Sequence, residues 1–253
     1  MAWLEVVRAA RVLTLTLHRP EALNALSAEL ADALAVELER ATSYDDVGVV
    51  VLRGAGRAFC AGADIRATGP LDARALDRAN RIVRAITRCD KPVVAAVQGA
   101  AAGVGCSIAL ACDLCVAAES ASFLLAFARI GLMPDGGATA TVAASVGRAR
   151  AMRMALLAEP LTGREAYDAG LVSHLVDDDA LETVLGEITA QLAAGAPLGL
   201  AATKKAVNAA TYAGLDDALE RERTGQTVLL RTADAAEGMR AFAERRAPDF
   251  KGE

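Results

Sequence analysis

Hydrophobic and polar positions change their period several times along the chain, and each period predicts an element. In VLTLTLHR (Val12–Arg19) leucine alternates with threonine, the two-residue period of a half-buried strand. The preceding WLEVV (Trp3–Val7) is placed to pair with it across a turn near Ala9 and Ala10. The period then becomes helical. Leu30, Leu34 and Leu38 share one face of SAELADALAVELERA, and Ser27 stands where a helix N-cap belongs. VGVVVLRG (Val47–Gly54) and PVVAAVQG (Pro92–Gly99) are near-continuous apolar runs, as in strands covered on both faces. A helical stretch, LDARALDRANRIVRAI from Leu71, leads into the second of them. Gly103–Cys112 reads as a helix and Asp113–Ala118 as a third core strand.

Strands alternating with helices in this order imply an α/β fold built from stacked β-α-β units. Beyond Gly136 the pattern is almost wholly helical: Ala138–Val146, Arg150–Leu157, Gly163–Ala169, Leu181–Ala194, Leu198–Ala210, Leu215–Arg231 and a last helix to about Arg246. The short run SHLV (Ser173–Val176) reads as a strand among them. The expected division is an α/β core over residues 1–195 and a helical C-terminal region over 196–253. No 20–50-residue repeat and no low-complexity linker interrupts it.

Composition narrows the function classes. A chain of 253 residues, 54% of them apolar, buries a full core and does not read as disordered. A net charge of −5 without a basic run argues against nucleic-acid binding. Five cysteines, an odd number, do not form a disulfide framework and point to a reducing, cytoplasmic setting. Cys112 and Cys115 make one C-x-x-C with no second pair and no nearby histidine, so buried structural thiols are the better reading and no metal site is expected. The N-terminus lacks a secretory h-region. Pro92–Cys112 carries no charge over a length that could span a bilayer. Its Ala, Gly, Gln98 and Ser107 fit a strand, a glycine turn and a buried helix better, and no membrane contact is expected.

Chemistry concentrates in two glycine-bearing stretches that each follow a buried strand, GAGRAFCAGADI (Gly54–Ile65) and QGAAAGVGCSIA (Gln98–Ala109). Neither is a P-loop or a dinucleotide fingerprint. Both offer backbone N–H groups, the second at a helix N-terminus, and two converging donors can hold a carbonyl oxygen as it becomes an oxyanion. Further on, ARIGLMPDGG (Ala128–Gly137) holds an isolated acid, Asp135, among apolar neighbours. His18 and His174 belong to no motif. Cys60 and Cys106 border the glycine stretches with no histidine nearby to activate them, and read as small packing residues.

RPEALNALS, AFCAGADI, KPVVAAVQGAAAGVGCSIALACD and IGLMPDGGAT, in this order, resemble the crotonase family, the enoyl-CoA hydratases and isomerases. The resemblance runs from Trp3 to the terminal AFAERRAPDFKG. It implies a crotonase (ClpP-like) fold: a superhelix of β-β-α turns with a C-terminal trimerisation region, assembling as a trimer or as a hexamer of two trimers. The implied ligand is an acyl-CoA thioester, which is substrate rather than cofactor. By the same resemblance the oxyanion hole uses the N–H groups of Ala61 and Val104. Most members have Gly at the second position, and Val serves there if its φ stays negative. Ala22–Asn24, Ala61, Ala63, Asp64, Ile65, Phe242 and Arg245 fall at CoA-contacting positions. For Asp64 an N-cap of the next turn stands beside that reading, and for Arg245 a solvated helix face stands beside phosphate pairing.

The sequence departs from the family at its two hydratase glutamates. The first slot holds Ser107 and the second holds Phe127. Neither side chain replaces a carboxylate as general base, which puts ordinary hydration in doubt. Asp135 instead occupies a position where some isomerases of the family carry their acid, and its neighbourhood most resembles the phenylacetate-pathway ring-epoxide isomerases. An isomerase needs one carboxylate to move a proton. Asp before Gly-Gly is also ordinary turn chemistry or an N-cap for the helix at Ala138. The family position favours the proton shuttle, with an atypical hydratase or a non-catalytic acyl-CoA binder as the alternatives.

Overall fold

A computed structural model describes residues 3–65 and 73–253. The chain opens with an antiparallel hairpin of β1 (Leu4–Ala9) and β2 (Val12–Leu17), paired from Leu4↔Leu17 to Ala9↔Val12. Its two-residue turn is Ala10–Arg11, both at positive φ. Leu13, Leu15 and Leu17 are buried and the intervening Thr14 and Thr16 are half-buried, so the alternating pattern is a half-covered strand. Helix α1 (Ala28–Ala41) follows, capped by Ser27, whose Oγ accepts from the Leu30 N–H at 3.2 Å. Next come β3 (Val49–Gly54), α2 (Ala73–Arg88), β4 (Val93–Val97), β5 (Ala100–Ala102) and α3 (Val104–Ala111). Of the helix expected from Leu71, Leu71 and Asp72 lie outside the described residues.

Strands β6 (Leu114–Ala118) and β7 (Ser122–Leu124) lead to a 3-10 segment, Ala126–Ile130, and to α4 (Ala138–Leu157). Two helices were expected over α4; Gly147, at φ 75° and ψ 164°, divides it. The rest comprises β8 (Leu161–Thr162), α5 (Gly163–Asp168), β9 (His174–Val176), α6 (Leu181–Ala194), α7 (Pro197–Thr211), α8 (Leu215–Leu229) and α9 (Ala233–Glu244).

The main sheet has the order β1-β2-β3-β4-β6-β9 and is parallel apart from the hairpin. One face carries the principal core against α1, α2 and α3. The other is closed by α6, where Leu181, Leu185 and Ala193 meet Val49, Val51, Val94, Ala96 and Val116. That two-sided burial is why β3 and β4 read as unbroken apolar runs. The second sheet, β5-β7-β8, is not legible in the sequence, because strands of two or three residues leave no alternation. It completes the pattern: β4–β5–α3 and β6–β7–α4 are successive β-β-α turns, each with one strand per sheet. The uncharged run Pro92–Cys112 is thus β4, β5 and α3. Among the described residues no single helix is long and apolar enough to cross a membrane.

Helix α7 has no buried residue, but Lys204 anchors it to the core: its Nζ lies 2.7 Å from Asp113 Oδ2 and donates to the carbonyls of Ile86 and Lys91. Helix α8 turns a mixed face inward, burying Leu215, Ala218, Leu219, Glu222 and Gln226.

Candidate active site

The two glycine-bearing stretches meet at the C-terminal ends of β3 and β4. Cys60 bridges to the second sheet: its N–H donates to the Ala100 carbonyl at 3.0 Å, and its carbonyl accepts from Ala102 at 2.9 Å. Gly62 and Gly103 then face one another, so that a Cβ on Gly103 would stand 3.9 Å from the Gly62 Cα. Gly103 takes φ 53° as the N-cap of α3, a conformation L side chains rarely adopt, and this turn brings the helix N-terminus to the site. Val104 opens α3 and is not among the positive-φ residues, so a side chain is tolerated there. Its N–H is one of the orphan donors of a helix start.

The partner donor differs from the expected one. The Ala61 N–H donates to the Leu23 carbonyl at 2.9 Å and is already engaged within the protein. Three residues after Leu23, Leu26 donates to Gly62 O at 2.8 Å and accepts from Asp64 N–H at 3.0 Å. This parallel bridge uses both neighbours of Ala63, whose own N–H has no acceptor among the described residues. By this hydrogen-bond accounting the free donor beside Val104 is Ala63.

Both alanines, Gly62, Gly103 and Val104 line a cavity of about 270 Å³. Its wall is otherwise made largely of Ile65, Leu76, Leu124, Phe127, Leu132 and Phe242, with alanines filling the gaps. Among the described residues, the polar side chains on it are Asp135, Gln226 and Arg129. Arg129 is exposed and donates to the Ala158 carbonyl at 2.7 Å.

Asp135 is buried, and its carboxyl is pushed up to about 7 by desolvation. A hydrogen bond from Gln226 opposes that shift and the charge of Glu222 adds to it. Oδ2 accepts from Gln226 Nε2 at 3.1 Å, while Oδ1 is buried without a hydrogen-bond partner. The N-cap reading of this acid fails. Helix α4 has Gly137 as N-cap with no side-chain cap of its own, and the capping group comes from α8. There Glu222 accepts from the Gly137 N–H at 2.6 Å, the Thr139 N–H at 2.9 Å and the Thr139 hydroxyl. Burial raises the Glu222 carboxyl, and these bonds oppose the rise.

The two departures from the family take different parts. Phe127 lines the cavity beside Gly103. Ser107 is fully buried and off the cavity wall; its hydroxyl donates to the Asp135 backbone carbonyl at 2.8 Å.

The expected CoA-contacting residues divide. Ala63, Ile65 and Phe242 lie on the cavity wall. Ala22, itself half-buried, ends the 3-10 turn Pro20–Ala22, whose Pro20 and Glu21 are exposed. Asn24 is fully buried and its side chain is spent inside: Oδ1 accepts from Arg19 N–H, and Nδ2 donates to the carbonyls of Ala55 and Ala58. It braces two loops and presents no side-chain group to a ligand. Asp64 pairs with Arg19 at 2.8 Å and is also mostly buried; the turn it was expected to cap lies outside the described residues. Arg245 ends α9 in the left-handed conformation, exposed, with no ion pair among the described residues, whereas Arg246 is held by Glu237 and Glu244.

The remaining nucleophiles are not poised. Burial pushes the thiols of Cys60 and Cys106 up to about 12, and those of Cys112 and Cys115 well above their ordinary value. His18 and His174 are off the cavity wall. Sequence reasoning missed Glu222 and Gln226. The available signal was helical spacing, which puts both on the face of Leu215 and Leu219 within a strongly charged helix.

The comparisons agree with this architecture. The family model described as enoyl-CoA hydratase/isomerase matches residues 8–253. The chain is 40% identical over 249 residues to the 1,2-epoxyphenylacetyl-CoA isomerase of Escherichia coli K12, covering 95% of each chain. It is 39% identical over 254 residues to the 2,3-dehydroadipyl-CoA hydratase of the same organism, covering all of both. A crystal structure of an enoyl-CoA hydratase from Mycobacterium avium subsp. paratuberculosis superposes with a TM-score of 0.94 at 48% identity, covering 99% of each chain. With a whole-length family match and relatives at this identity, the chain is a crotonase-fold member of the enoyl-CoA hydratase/isomerase family.

Proposed function

We propose that this protein is an isomerase that moves a proton along the carbons next to an acyl-CoA thioester, converting a 3-enoyl-CoA into the 2-enoyl-CoA or rearranging a ring-derived acyl-CoA. The observation that carries this reading is the cavity's single carboxylate. Asp135 stands alone there among the described residues, with one oxygen unpartnered and a pKa near neutrality. A base of that pKa is ionised often enough at neutral pH to take a proton and acidic enough to return it.

The chemistry follows from the donors. The thioester oxygen accepts from the N–H groups of Ala63 and Val104, which strengthens as the oxygen gains charge. Asp135 Oδ1 takes the proton from C2, and the electron pair moves through C1 to give a dienolate. The same oxygen delivers the proton to C4; the C3–C4 double bond becomes C2–C3, and Asp135 returns to its carboxylate. No second acid is needed, which fits Ser107 and Phe127 in the glutamate slots. The exposed Arg245 supplies a cation for a CoA phosphate.

The relatives support the substrate class: one is named for isomerising an aromatic-ring acyl-CoA and another for hydrating an unsaturated acyl-CoA. For the assembly we propose a trimer or hexamer. Leu198 and Val207 stand exposed on α7, and light scattering tests the state directly. The assay that tests the activity follows thioester conjugation in the ultraviolet. Gain of conjugation from 3-enoyl-CoA supports isomerisation. Loss from 2-enoyl-CoA alone identifies a hydratase, and binding without change in either identifies a non-catalytic binder.

A further inference from the structure

We propose that Gln226 is the positioning residue of this site: its amide holds one oxygen of Asp135 and so leaves the other, buried beside the acyl cavity, without a partner. The proposal rests on the reading of Asp135 as the proton shuttle. It stands on geometry. Gln226 is 1% exposed and contributes to the cavity wall from α8, more than 90 residues away in sequence from the loop it grips.

Three hydrogen bonds fix its amide. Oε1 accepts from the Met133 N–H at 3.0 Å, and Nε2 donates to the Met133 carbonyl at 2.9 Å and to Asp135 Oδ2 at 3.1 Å. Only one orientation of the amide satisfies all three, because a flipped NH₂ would face the Met133 N–H. Its neighbour Gly225 permits the approach: a Cβ there would lie 2.6 Å from the Met133 sulfur. Gln226 thus clamps the loop by its backbone and the acid by its side chain at once.

The consequence for the acid is directional. A donor on Oδ2 stops the carboxyl from turning about its own axis and favours the charged form. Oδ1 keeps its lone pairs unshared, so proton transfer is confined to the oxygen without a partner. Gln226 cannot titrate, so the donor persists at every pH at which the protein is folded. Among the described residues, the charged groups around Asp135 are few. From α8 comes Glu222, engaged with Gly137 and Thr139; from the 3-10 segment comes Arg129, exposed and bonded to Ala158; from α3 comes the uncharged Ser107.

The test measures the acid itself, without substrate. Carboxyl-¹³C aspartate is incorporated into the intact protein, the Asp135 resonance is assigned by its loss in Asp135→Asn, and its titration is compared in wild type, Gln226→Met and Gln226→Glu. Met fills the space of Gln without a donor, and Glu keeps an acceptor for the Met133 N–H while removing the donor. In both variants the titration moves upward, by about one pH unit or more. With a 3-enoyl-CoA, kcat falls by about 10- to 100-fold while KM changes little. A thermal melt shows whether each variant is folded under assay. If Asp135→Asn retains full activity, the shuttle reading fails and this assignment with it. If Asp135→Asn is inactive yet both folded Gln226 variants keep the wild-type titration and kcat, the positioning role is overturned and the shuttle stands.

Discussion

The Ser107 hydroxyl and the Asp135 carboxylate do not meet; Ser107 instead holds the aspartate from behind, donating to its backbone carbonyl at 2.8 Å. The slot of a hydratase glutamate is therefore occupied by a buttress. Ser107→Ala leaves that carbonyl with only a long contact to the Ala138 N–H at 3.4 Å. The expected outcome in chemical denaturation is a loss of about 1 kcal/mol. Isomerisation by the folded variant stays within tenfold of wild type. A loss as deep as that of Asp135→Asn would place the hydroxyl in the chemistry.

Asp135→Asn removes the base while keeping the shape of the side chain. Turnover of 3-enoyl-CoA drops by about 10²- to 10⁴-fold. Calorimetry with a saturated acyl-CoA shows binding almost unchanged, since the amide donors and the apolar wall are untouched.

The raised carboxyl of Asp135 fixes two pH profiles. As a base it acts ionised, so kcat/KM climbs with pH and levels off above about 7. Stability runs the other way. A carboxyl whose folded pKa lies above its unfolded value favours the native state when protonated, and that contribution is lost as pH rises from about 4 through about 7. Asp135→Asn accordingly stabilises the protein most above pH 7, by at most about 4 kcal/mol, and progressively less toward pH 4. Denaturation midpoints measured at pH 5 and pH 8 check the sign.

Glu222 caps α4 and also repels the charge on Asp135. Glu222→Gln weakens the cap, at about 1–3 kcal/mol of stability. It also removes a negative charge beside Asp135, so the acidic limb of kcat/KM moves to lower pH. A profile that stays in place would show that the Glu222 charge is screened from the acid.

Arg245→Ala tests the exposed cation. KM for a CoA thioester rises roughly two- to fivefold with kcat unchanged, the scale of a solvent-exposed pair. An acyl thioester of N-acetylcysteamine, which carries no phosphate, shows no difference between the variant and wild type.

Much of the fold is legible in the sequence, since the period of Leu13, Leu15 and Leu17, or of Leu30, Leu34 and Leu38, records which face is covered. The second sheet is not, because Ala100–Ala102 and Ser122–Leu124 are too short to show a period. At the site, Asp135 stands out as a lone acid among apolar neighbours. The choice between Ala61 and Ala63 does not, because both are alanines in one short run and only tracing each N–H to its acceptor separates them. Asn24 misleads for a related reason. A polar residue in a loop suggests a ligand, whereas its side chain is consumed by Arg19, Ala55 and Ala58. Glu222 and Gln226 hide in a run of charges, LERERTGQ, where an inward-facing carboxylate reads like its solvated neighbours.

The bare Oδ1 of Asp135 also bears on how this protein can be engineered. A library screened for heat tolerance alone, at alkaline pH, enriches replacements of that one acid ahead of most surface changes, because each relieves an ionised oxygen from a dry wall. Such winners would be sturdy and inert. Any selection for robustness in this scaffold has to be coupled to turnover from its first round.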